Sequence, residues 1–343
     1  MKNQRRYRGS RRKIGLLIPV LVVLCIIAAT ALYVINNNMT FTKEGSFFIP
    51  EKDEPPQDVE ANLVIEEPEV EIEPEQMPVV VPQGNVSDVR GYFVPVGSVK
   101  SVELFDAELI AAKTAGANTL ILEVKAEDGT LAYATKTRIG MSTGLAGDSA
   151  MLSESINKAR ESGYRVALYM SCFKDNEAAR KNQIYSVRTA NKIIWLDGEN
   201  MRWLSPYSEE ACEYLAETVR ELAEFSPDEI ILSNISFPTF GKTEIIEYEN
   251  GGVSKEEKIS EFIEELKSAS GEIKLSAVYE NYKGNALSRS GQSTDAFANA
   301  FDTVYVKESG GNNTASFASV ADKFKNAVPI KSSPSGNEYL IKK

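Results

Sequence analysis

The sequence predicts an α/β protein whose main part is a (β/α)8 barrel of the TIM type. From residue 89 onward, short β-rich runs alternate with helical patterns. The runs are apolar nearly throughout, as in parallel strands that helices cover on both faces. About 255 residues are left for this region, which is close to the usual length of such a barrel. A doubly wound open sheet is the alternative, but "VPVGSVKS" follows the first strand, where that fold carries a Gly-rich phosphate loop.

Strands and helices are predicted in strict alternation. The helical stretches carry apolar residues three or four positions apart, as Leu215, Val219 and Leu222 illustrate. The last strand is the weakest in the pattern, and without it the barrel would be incomplete at its C-terminus. The strands are predicted at 89–95, 119–125, 165–172, 229–236, 273–279, 303–307, 328–332 and 338–342. The helices are predicted at 103–115, 149–162, 208–225, 254–269, 292–300 and 314–326.

The N-terminus predicts a membrane anchor. A basic leader, 1–13, precedes an uncharged and largely apolar run, 14–35, and about 20 such residues cross a bilayer. Because positive charges stay on the cytoplasmic side, we expect a single-pass protein of the cell membrane, with its N-terminus inside and the rest extracellular. A cleaved signal peptide is the alternative, since Ala29-Thr30-Ala31 resembles a cleavage site.

Residues 36–88 differ in composition from the rest of the chain. They are rich in glutamate and proline and poor in aromatic residues. Such a segment cannot bury enough apolar surface to fold, and its like charges keep it extended. We therefore predict a disordered stalk that carries the barrel domain, 89–343. The barrel domain contains Cys172 and Cys212, and their spacing leaves open whether they pair.

The composition excludes several classes of function. The chain has no histidine, which removes the Ser-His-Asp triad, the Cys-His dyad and zincin-type metal sites. Its formal net charge of -11 provides no basic field to attract phosphates, so nucleic acid is not expected as a partner. We expect no cofactor and no bound metal.

Five stretches of the barrel domain carry a resemblance to a known family. In order, they are "RGYFVPVGS", "LILEVKAEDGTLAY", "FKDNEAA", "WLDGENMRWLSPYSEEACEYLAETVREL" and "DEIILSNISFP". Their succession resembles the "putative glycosyl hydrolase domain" family of bacterial envelope-anchored TIM-barrel proteins. The resemblance implies a glycoside-hydrolase-like barrel whose ligand is cell-envelope polysaccharide or peptidoglycan.

The scaffold positions agree with the family pattern, but the positions that carry chemistry do not. Ser233 and Val278 stand where the pattern expects aspartates, and Ser236 stands where it expects arginine. Glycoside hydrolysis needs two carboxyl groups, one to protonate the leaving oxygen and one to supply or activate the nucleophile. A serine without a neighbouring base does neither at neutral pH. The resemblance therefore implies a divergent member.

Other carboxylates follow the predicted strands, on the side where barrel active sites lie. Glu280 and Glu308 are the favoured replacement pair, with Asp175 as a further catalytic candidate, although all three could instead be solvated acids or partners of neighbouring lysines. The long connection 176–207 is typical of a site-forming loop. Sugar rings pack on aromatic planes, and neutral polar groups can bind their hydroxyls. The ligand-binding candidates are Lys125, Asp128, Trp195, Trp203, Tyr207, Ser233, Asn234 and Tyr282.

Two functional hypotheses follow from these observations. The first is a membrane-anchored, extracellular barrel that binds cell-envelope glycan and has lost most or all of its catalysis. The alternative is an active, divergent glycoside hydrolase that uses relocated carboxylates. A protein partner is compatible with either hypothesis.

Overall fold

The structure of the protein is a computed structural model. Within the part of the chain that it describes, no helix is both long enough and apolar enough to cross a bilayer. The described residues are 39–42, 45–48, 88–307, 314–333 and 339–341.

A short antiparallel hairpin precedes the barrel domain in the chain. Its two strands are Met39–Thr42 and Gly45–Phe48. The hairpin falls inside the segment 36–88 that we predict to be a stalk. Most of that segment lies outside the described residues, as do the predicted leader and anchor at 1–35. The stalk and the anchor therefore stay predictions.

Eight parallel strands form a closed barrel, which confirms the predicted fold class and excludes the open sheet. Closure joins the last strand to the first, where Leu340 pairs with Gly91. Glycine fits this seam because a Cβ on Gly91 would lie 2.7 Å from Cδ1 of Ile121. The strands are β1 (Arg90–Val94), β2 (Thr119–Lys125), β3 (Arg165–Ser171), β4 (Glu229–Ser233), β5 (Leu275–Tyr279), β6 (Val304–Lys307), β7 (Ala327–Lys331) and β8 (Tyr339–Ile341).

Every second side chain of the strands points into the barrel. These inward residues form a hydrophobic cluster of their own, which we call the interior core. Its largest members are tyrosines, and the ring of Phe93 meets that of Tyr169 edge-on with centroids 5.1 Å apart. The barrel is therefore filled by side chains. The interior core consists of Val89, Ile121, Ala167, Tyr169, Ile231, Val278, Tyr305, Val328 and Leu340.

Helices cover the outside of the barrel. In the helix between β3 and β4, Leu215, Val219 and Leu222 are all buried, as their spacing predicts. The ring of Phe262, on the helix after β4, packs against Phe173 just beyond β3, with centroids 4.5 Å apart. The helices are α1 (Val96–Val99), α2 (Val102–Thr114), α3 (Arg138–Thr143), α4 (Ser149–Glu161), α5 (Asn176–Lys181), α6 (Glu209–Ala223), α7 (Lys255–Ser270), α8 (Asn285–Ser290) and α9 (Thr294–Ala300).

The strand predicted at 229–236 is shorter in the structure, because β4 ends at Ser233. The next residue, Asn234, has a φ of 54°, in the left-handed region that asparagine tolerates better than most residues. The same φ recurs at Asn281, just beyond β5. Both turns lead the chain out of the sheet at the C-terminal end of the barrel.

The prediction of a helix at 314–326 is wrong. Two 3-10 turns, Phe317–Ser319 and Ala321–Lys323, stand in its place. Between them Val320 has a φ of -131° and a ψ of -11°, which interrupts any continuous helix. Apolar residues three positions apart suit a 3-10 turn as well as an α-helix, so the spacing did not distinguish the two.

Both cysteines of the barrel domain are free thiols. Cys172 follows β3 and Cys212 lies in the first turn of α6, and both are buried. Burial raises the pKa of each thiol to about 12, so both are protonated at neutral pH and poorly nucleophilic.

Ser208 caps α6, and its Oγ accepts a hydrogen bond from the backbone N–H of Ala211 at 3.2 Å. We predict that Ser208→Ala lowers the free energy of unfolding by about 1 kcal/mol, because this N–H loses its acceptor. Ser260→Ala is the matched control, since Ser260 lies within α7 and caps no helix; no loss is expected there. Urea unfolding measures both, and equal values for the two variants would contradict the capping role.

Candidate active site at the barrel mouth

The C-terminal ends of the strands open to one face, the barrel mouth, where active sites of such barrels lie. On five strands, the residue two positions beyond a member of the interior core is the next inward one toward the mouth. Because side chains alternate along a strand, these residues share the direction of the interior core. They form the mouth ring, which consists of Glu123, Ser171, Ser233, Glu280 and Lys307.

Glu280 and Lys307 form an ion pair in the mouth ring, with Oε2 and Nζ 2.5 Å apart. The lysine side chain is 44% exposed, whereas that of Glu280 is only 6% exposed. The other carboxylate oxygen, Oε1, is buried and has no hydrogen-bond partner among the described residues. The charge of Glu280 raises the pKa of Lys307 by more than burial lowers it. Glu280 thus lies at the mouth, with a cation on one oxygen and a buried second oxygen that accepts no hydrogen bond from the described residues.

Tyr282 stands beside this ion pair. Burial raises the pKa of its phenol to about 12, and the charge of Glu280 adds to that effect. A hydrogen bond with Thr239 and the charges of Lys307 and Lys174 act in the opposite direction. The hydroxyl is protonated at neutral pH, so it can donate a hydrogen bond to a ligand.

A second lysine at the mouth, Lys174, contacts three carboxylates. Its Nζ lies 2.7 Å from Oε2 of Glu127, 2.6 Å from Oε2 of Glu199 and 4.0 Å from Oδ2 of Asp197. Burial lowers the pKa of Lys174, but its hydrogen bonds and charge interactions with Glu127 and Glu199 outweigh burial and raise it. The Glu199 side chain is 62% exposed, so the cluster opens to solvent on that side.

Asn234 holds Glu127 from the other side. Its Nδ2 donates to Oε1 of Glu127 at 3.1 Å and to Oγ of Ser171 at 2.9 Å. Ser171 in turn donates to the backbone carbonyl of Lys174 at 2.7 Å. Asn234 is 6% exposed, so this predicted ligand-binding residue positions the carboxylate and offers little surface of its own.

Trp195 and Trp203, predicted to bind ligand, are buried in the loop between β3 and α6. Trp203 Nε1 donates to Oδ2 of Asp197, and Trp195 Nε1 donates to the carbonyl of Lys242, both at 2.9 Å. The two residues are only 6% and 2% exposed, because a buried indole N–H needs an acceptor and both indoles find one inside the loops. Their contact with a sugar stays a prediction.

Lys125 and Asp175, predicted for ligand binding and for catalysis, form an ion pair with no solvent exposure. Nζ and Oδ2 are 2.7 Å apart, and both side chains are 0% exposed. Oδ1 of Asp175 accepts the N–H of Ala178 at the start of α5, and the hydroxyl of Tyr214 donates to Oδ2 at 3.3 Å. The pair joins the end of β2 to the connection between β3 and α5, and the predicted roles of Lys125 and Asp175 stay predictions.

Ser233 and Tyr207 use their hydroxyls within the protein. Ser233 Oγ donates to the carbonyl of Met170 at 3.1 Å, and Tyr207 donates to the carbonyl of Val253 at 2.9 Å. The ring of Tyr207 packs against Phe237 with centroids 4.9 Å apart. These contacts hold the barrel wall and its loops, and the predicted contacts of both residues with a ligand stay predictions.

Asp128 starts a turn at the rim of the mouth, where its Oδ1 accepts the backbone N–H two residues on at 2.8 Å. Gly129 follows with a φ of 95°, and a Cβ there would lie 2.8 Å from Oδ1 of Asp175. Asp128 is exposed, and its role in binding stays a prediction. Glu308 lies outside the described residues, so its pairing with Glu280 also stays a prediction.

The positions where the resemblance implies acids hold no carboxylate. Val278 belongs to the interior core and has no exposed surface. Ser236, at the expected arginine, has a buried hydroxyl without a hydrogen-bond partner among the described residues. The acid nearest to these positions along β5 is Glu280, one inward position beyond Val278.

Asp197 and Glu199 belong to the site although the sequence analysis did not single them out. Oδ1 of Asp197 accepts the N–H groups of Glu199 and Met201 at 2.9 and 2.8 Å, which fixes the tip of the loop. The signal that could have identified them is "LDGEN", an acidic turn inside the connection already recognised as long enough to form a site.

A cleft of about 540 Å³ opens beside the mouth ring. A larger one of about 630 Å³ lies at α3 and α6, but we place the site at the first because it adjoins the strand ends. Within the described residues, no group of three or more acidic or cysteine side chains could hold a metal ion. The cleft at the mouth is lined by Tyr92, Phe93, Glu108, Glu123, Glu127 and Asp128, among others.

Residues 91–305 match the family described as "Putative glycosyl hydrolase domain". The chain belongs to this family. The match includes Ser233, Val278 and Glu280, whereas Lys307 lies two residues beyond it. A search of curated proteins found no match.

Several solved structures are similar to this chain at low sequence identity. A hypothetical protein from Ruminiclostridium thermocellum is 24% identical with a TM-score of 0.49, covering 54% of this chain and 96% of that one. The PgaB (BpsB) glycoside hydrolase domain from Bordetella bronchiseptica is 11% identical with a TM-score of 0.50, covering 64% and 74%. The α-galactosidase TtGalA from Thermus thermophilus is 16% identical with a TM-score of 0.41, covering 64% and 41%. At these identities the likeness is one of fold alone.

The buried pair Lys125–Asp175 generates a stability prediction. Lys125→Met should lower the free energy of unfolding by about 3–5 kcal/mol, because Asp175 is left charged and buried without its cation. Adding Asp175→Asn should recover part of the loss, since the amide oxygen can still accept the N–H of Ala178.

The matched control is Lys325→Met, which removes an exposed ion pair with Asp302 and should cost no more than about 1 kcal/mol. Both variants are compared by chemical unfolding. A loss for Lys125→Met no larger than that for Lys325→Met would show that the buried pair does not stabilise the fold.

Proposed function

We propose that this barrel binds cell-envelope glycan at its mouth and has lost most or all hydrolytic activity. The observation that carries the proposal is that lysines contact the carboxylates at the mouth. Lys307 contacts Glu280, and Lys174 contacts both Glu127 and Glu199. Membership of the glycosyl hydrolase family supports a glycan as the ligand.

Ion pairing of this kind is unfavourable for glycoside hydrolysis. The reaction needs one carboxyl group that holds a proton at neutral pH and gives it to the leaving oxygen. At this mouth a lysine amine instead contacts an oxygen of each of these carboxylates. The same lysine also occupies the space beside the carboxylate oxygen where a sugar would have to approach.

Binding does not share this requirement. The protonated hydroxyl of Tyr282, the exposed amine of Lys307 and the exposed carboxylate of Glu199 can all form hydrogen bonds with sugar hydroxyls. Charge-assisted hydrogen bonds of this type contribute about 1.5–3 kcal/mol each.

An active, divergent hydrolase is the second candidate, and one measurement favours it. Oε2 of Glu127 and Oε2 of Glu199 both lie on the Nζ of Lys174. Their separation is therefore at most the sum of those two contact distances, an upper bound that does not exceed the roughly 5–5.5 Å found between the carboxyl groups of retaining glycosidases. Movement of Lys174 would leave such a pair, and Glu280 with Glu308 remains a further possible pair.

Incubation of the purified full-length chain with cell-wall polysaccharides tests the two candidates. We predict measurable retention of glycan with little or no release of reducing ends. Lys307→Met should weaken binding by about tenfold, because the exposed amine is lost. Ser233→Ala should leave binding nearly unchanged, since its hydroxyl is bonded to the barrel wall.

Glu264→Gln, on the exposed face of α7, serves as a control for loss of a carboxylate remote from the mouth. Robust turnover that Glu280→Gln or Glu199→Gln abolishes, and Glu264→Gln does not, would contradict the proposal and establish the hydrolase. The detergent should lack a sugar head group, because maltosides and glucosides would compete for the site.

We further propose that the barrel lies outside the cytoplasmic membrane, on a stalk that follows a single membrane span. The basic leader, the apolar run 14–35 and the acidic segment 36–88 support this arrangement. Protease added to wall-stripped, intact cells should release a fragment of about 255 residues by cutting in the exposed stalk.

Two controls accompany the protease experiment. A cytoplasmic protein should stay uncut until detergent is added, and an established surface protein should be cut in the same sample. Full protection of the barrel in cells whose surface control is cut would refute this topology.

A further inference from the structure

Phe240 is an aromatic residue exposed beside the barrel mouth, in the connection between β4 and α7. Phe240 is 60% exposed, far more than Trp195 or Trp203. Exposure of a large apolar ring costs free energy unless something covers it, at roughly 25 cal/mol per Å². The Phe240 ring is therefore a candidate contact point for a ligand.

Two glycines place the Phe240 ring. The ring lies on the backbone of Gly198, so closely that a Cβ there would collide with it. On its C-terminal side Gly241 has a φ of 107°, and a Cβ on it would lie 2.9 Å from the N atom of Gly198. The ring is thus supported from below by the loop tip that also carries Glu199. Its exposed fraction leaves the opposite side open to solvent.

The Phe240 ring adjoins the polar groups of the mouth on two sides. The preceding residue, Thr239, forms a side-chain hydrogen bond with Tyr282. Beneath the ring, Gly198 lies between Asp197 and Glu199 in the chain, and both of these acids approach Lys174. A flat apolar face therefore stands next to an exposed carboxylate and a phenol that can donate a hydrogen bond.

We infer that Phe240 is a platform on which one pyranose ring of a neutral glycan stacks, at a subsite beside the mouth ring. A pyranose ring combines an apolar face of C–H groups with hydroxyls at its edge, and this matches an aromatic face bordered by polar side chains. This inference rests on the proposed function and adds to it a second contact point along the glycan.

Charge decides in favour of a neutral glycan. The mouth carries five of the carboxylates named above, on Glu123, Glu127, Asp197, Glu199 and Glu280, against the two lysines 174 and 307. Further acidic side chains, those of Glu108 and Asp128, line the neighbouring cleft. An acidic polysaccharide would be repelled by this excess of like charge.

Four further apolar side chains are exposed on the same two connections, namely Ile184, Ile193, Leu196 and Ile245. A protein or membrane surface docking there would use all of them together with Phe240. A sugar would depend on the flat ring alone, because aliphatic side chains provide no extended plane. Substitutions at Phe240 and Ile245 therefore distinguish the two kinds of partner.

The test uses the full-length chain in a detergent without a sugar head group. Calorimetric titration measures binding of N-acetylglucosamine and glucose oligomers, each two and six units long, to the wild type, Phe240→Ala, Phe240→Leu, Phe240→Trp and Ile245→Ala. Phe240→Leu keeps an apolar contact with Gly198 but removes the flat face. Equal melting temperatures of the variants exclude a folding defect.

We expect Phe240→Ala and Phe240→Leu to weaken binding of a hexamer by about tenfold, within the range of an aromatic stacking contact. Binding of the dimer at the mouth should change by less than about twofold, and Phe240→Trp and Ile245→Ala should resemble the wild type. Hexamer binding unaffected by Phe240→Leu, or weakened equally by Ile245→Ala, overturns the platform and leaves the proposed function standing. Failure of the wild type to bind either oligomer, with wall polysaccharides also not retained, overturns both.

Discussion

The parallel hydrogen bonding between β8 and β1, which closes the sheet on itself, fixes which side chains can meet at the mouth. Leu340 pairs with Gly91 at this seam, and closure makes every second residue of each strand face inward. The interior core fills the barrel up to Val278 and Tyr305. The next inward residues on those two strands are Glu280 and Lys307, and their ion pair is a direct consequence of the register between β5 and β6.

The chemistry of the mouth is governed by lysines placed among carboxylates. Each lysine engages oxygens of the acids it contacts in ion pairs, which suits fixed hydrogen bonding. The left-handed Asn234 and the buried Trp203 hold Glu127 and Asp197 in these contacts through their side-chain donors. The loops therefore provide a rigid, charged surface, with the exposed Phe240 beside it.

The sequence was sufficient to predict the barrel because its strands are apolar on both faces and its helices have regular apolar spacing. A helix was wrongly predicted at 314–326, because a three-residue spacing of apolar side chains is also compatible with 3-10 turns. The sequence also could not identify the partners of Trp195 and Trp203. Trp195 donates to a carbonyl 47 positions away in the chain, and no local pattern indicates such a contact. No local pattern indicates the burial of Lys125 with Asp175 either, since α6 covers both residues only in the folded barrel.

The most direct test of the account is a crystal structure of the protein bound to a tetramer of N-acetylglucosamine. The account predicts an intact sugar chain, with Lys307 Nζ still within hydrogen-bond distance of Glu280 Oε2 and Lys174 Nζ still within that distance of Glu127 and Glu199. A complex in which the lysines have moved away, and two carboxyl groups flank a glycosidic oxygen, would contradict it.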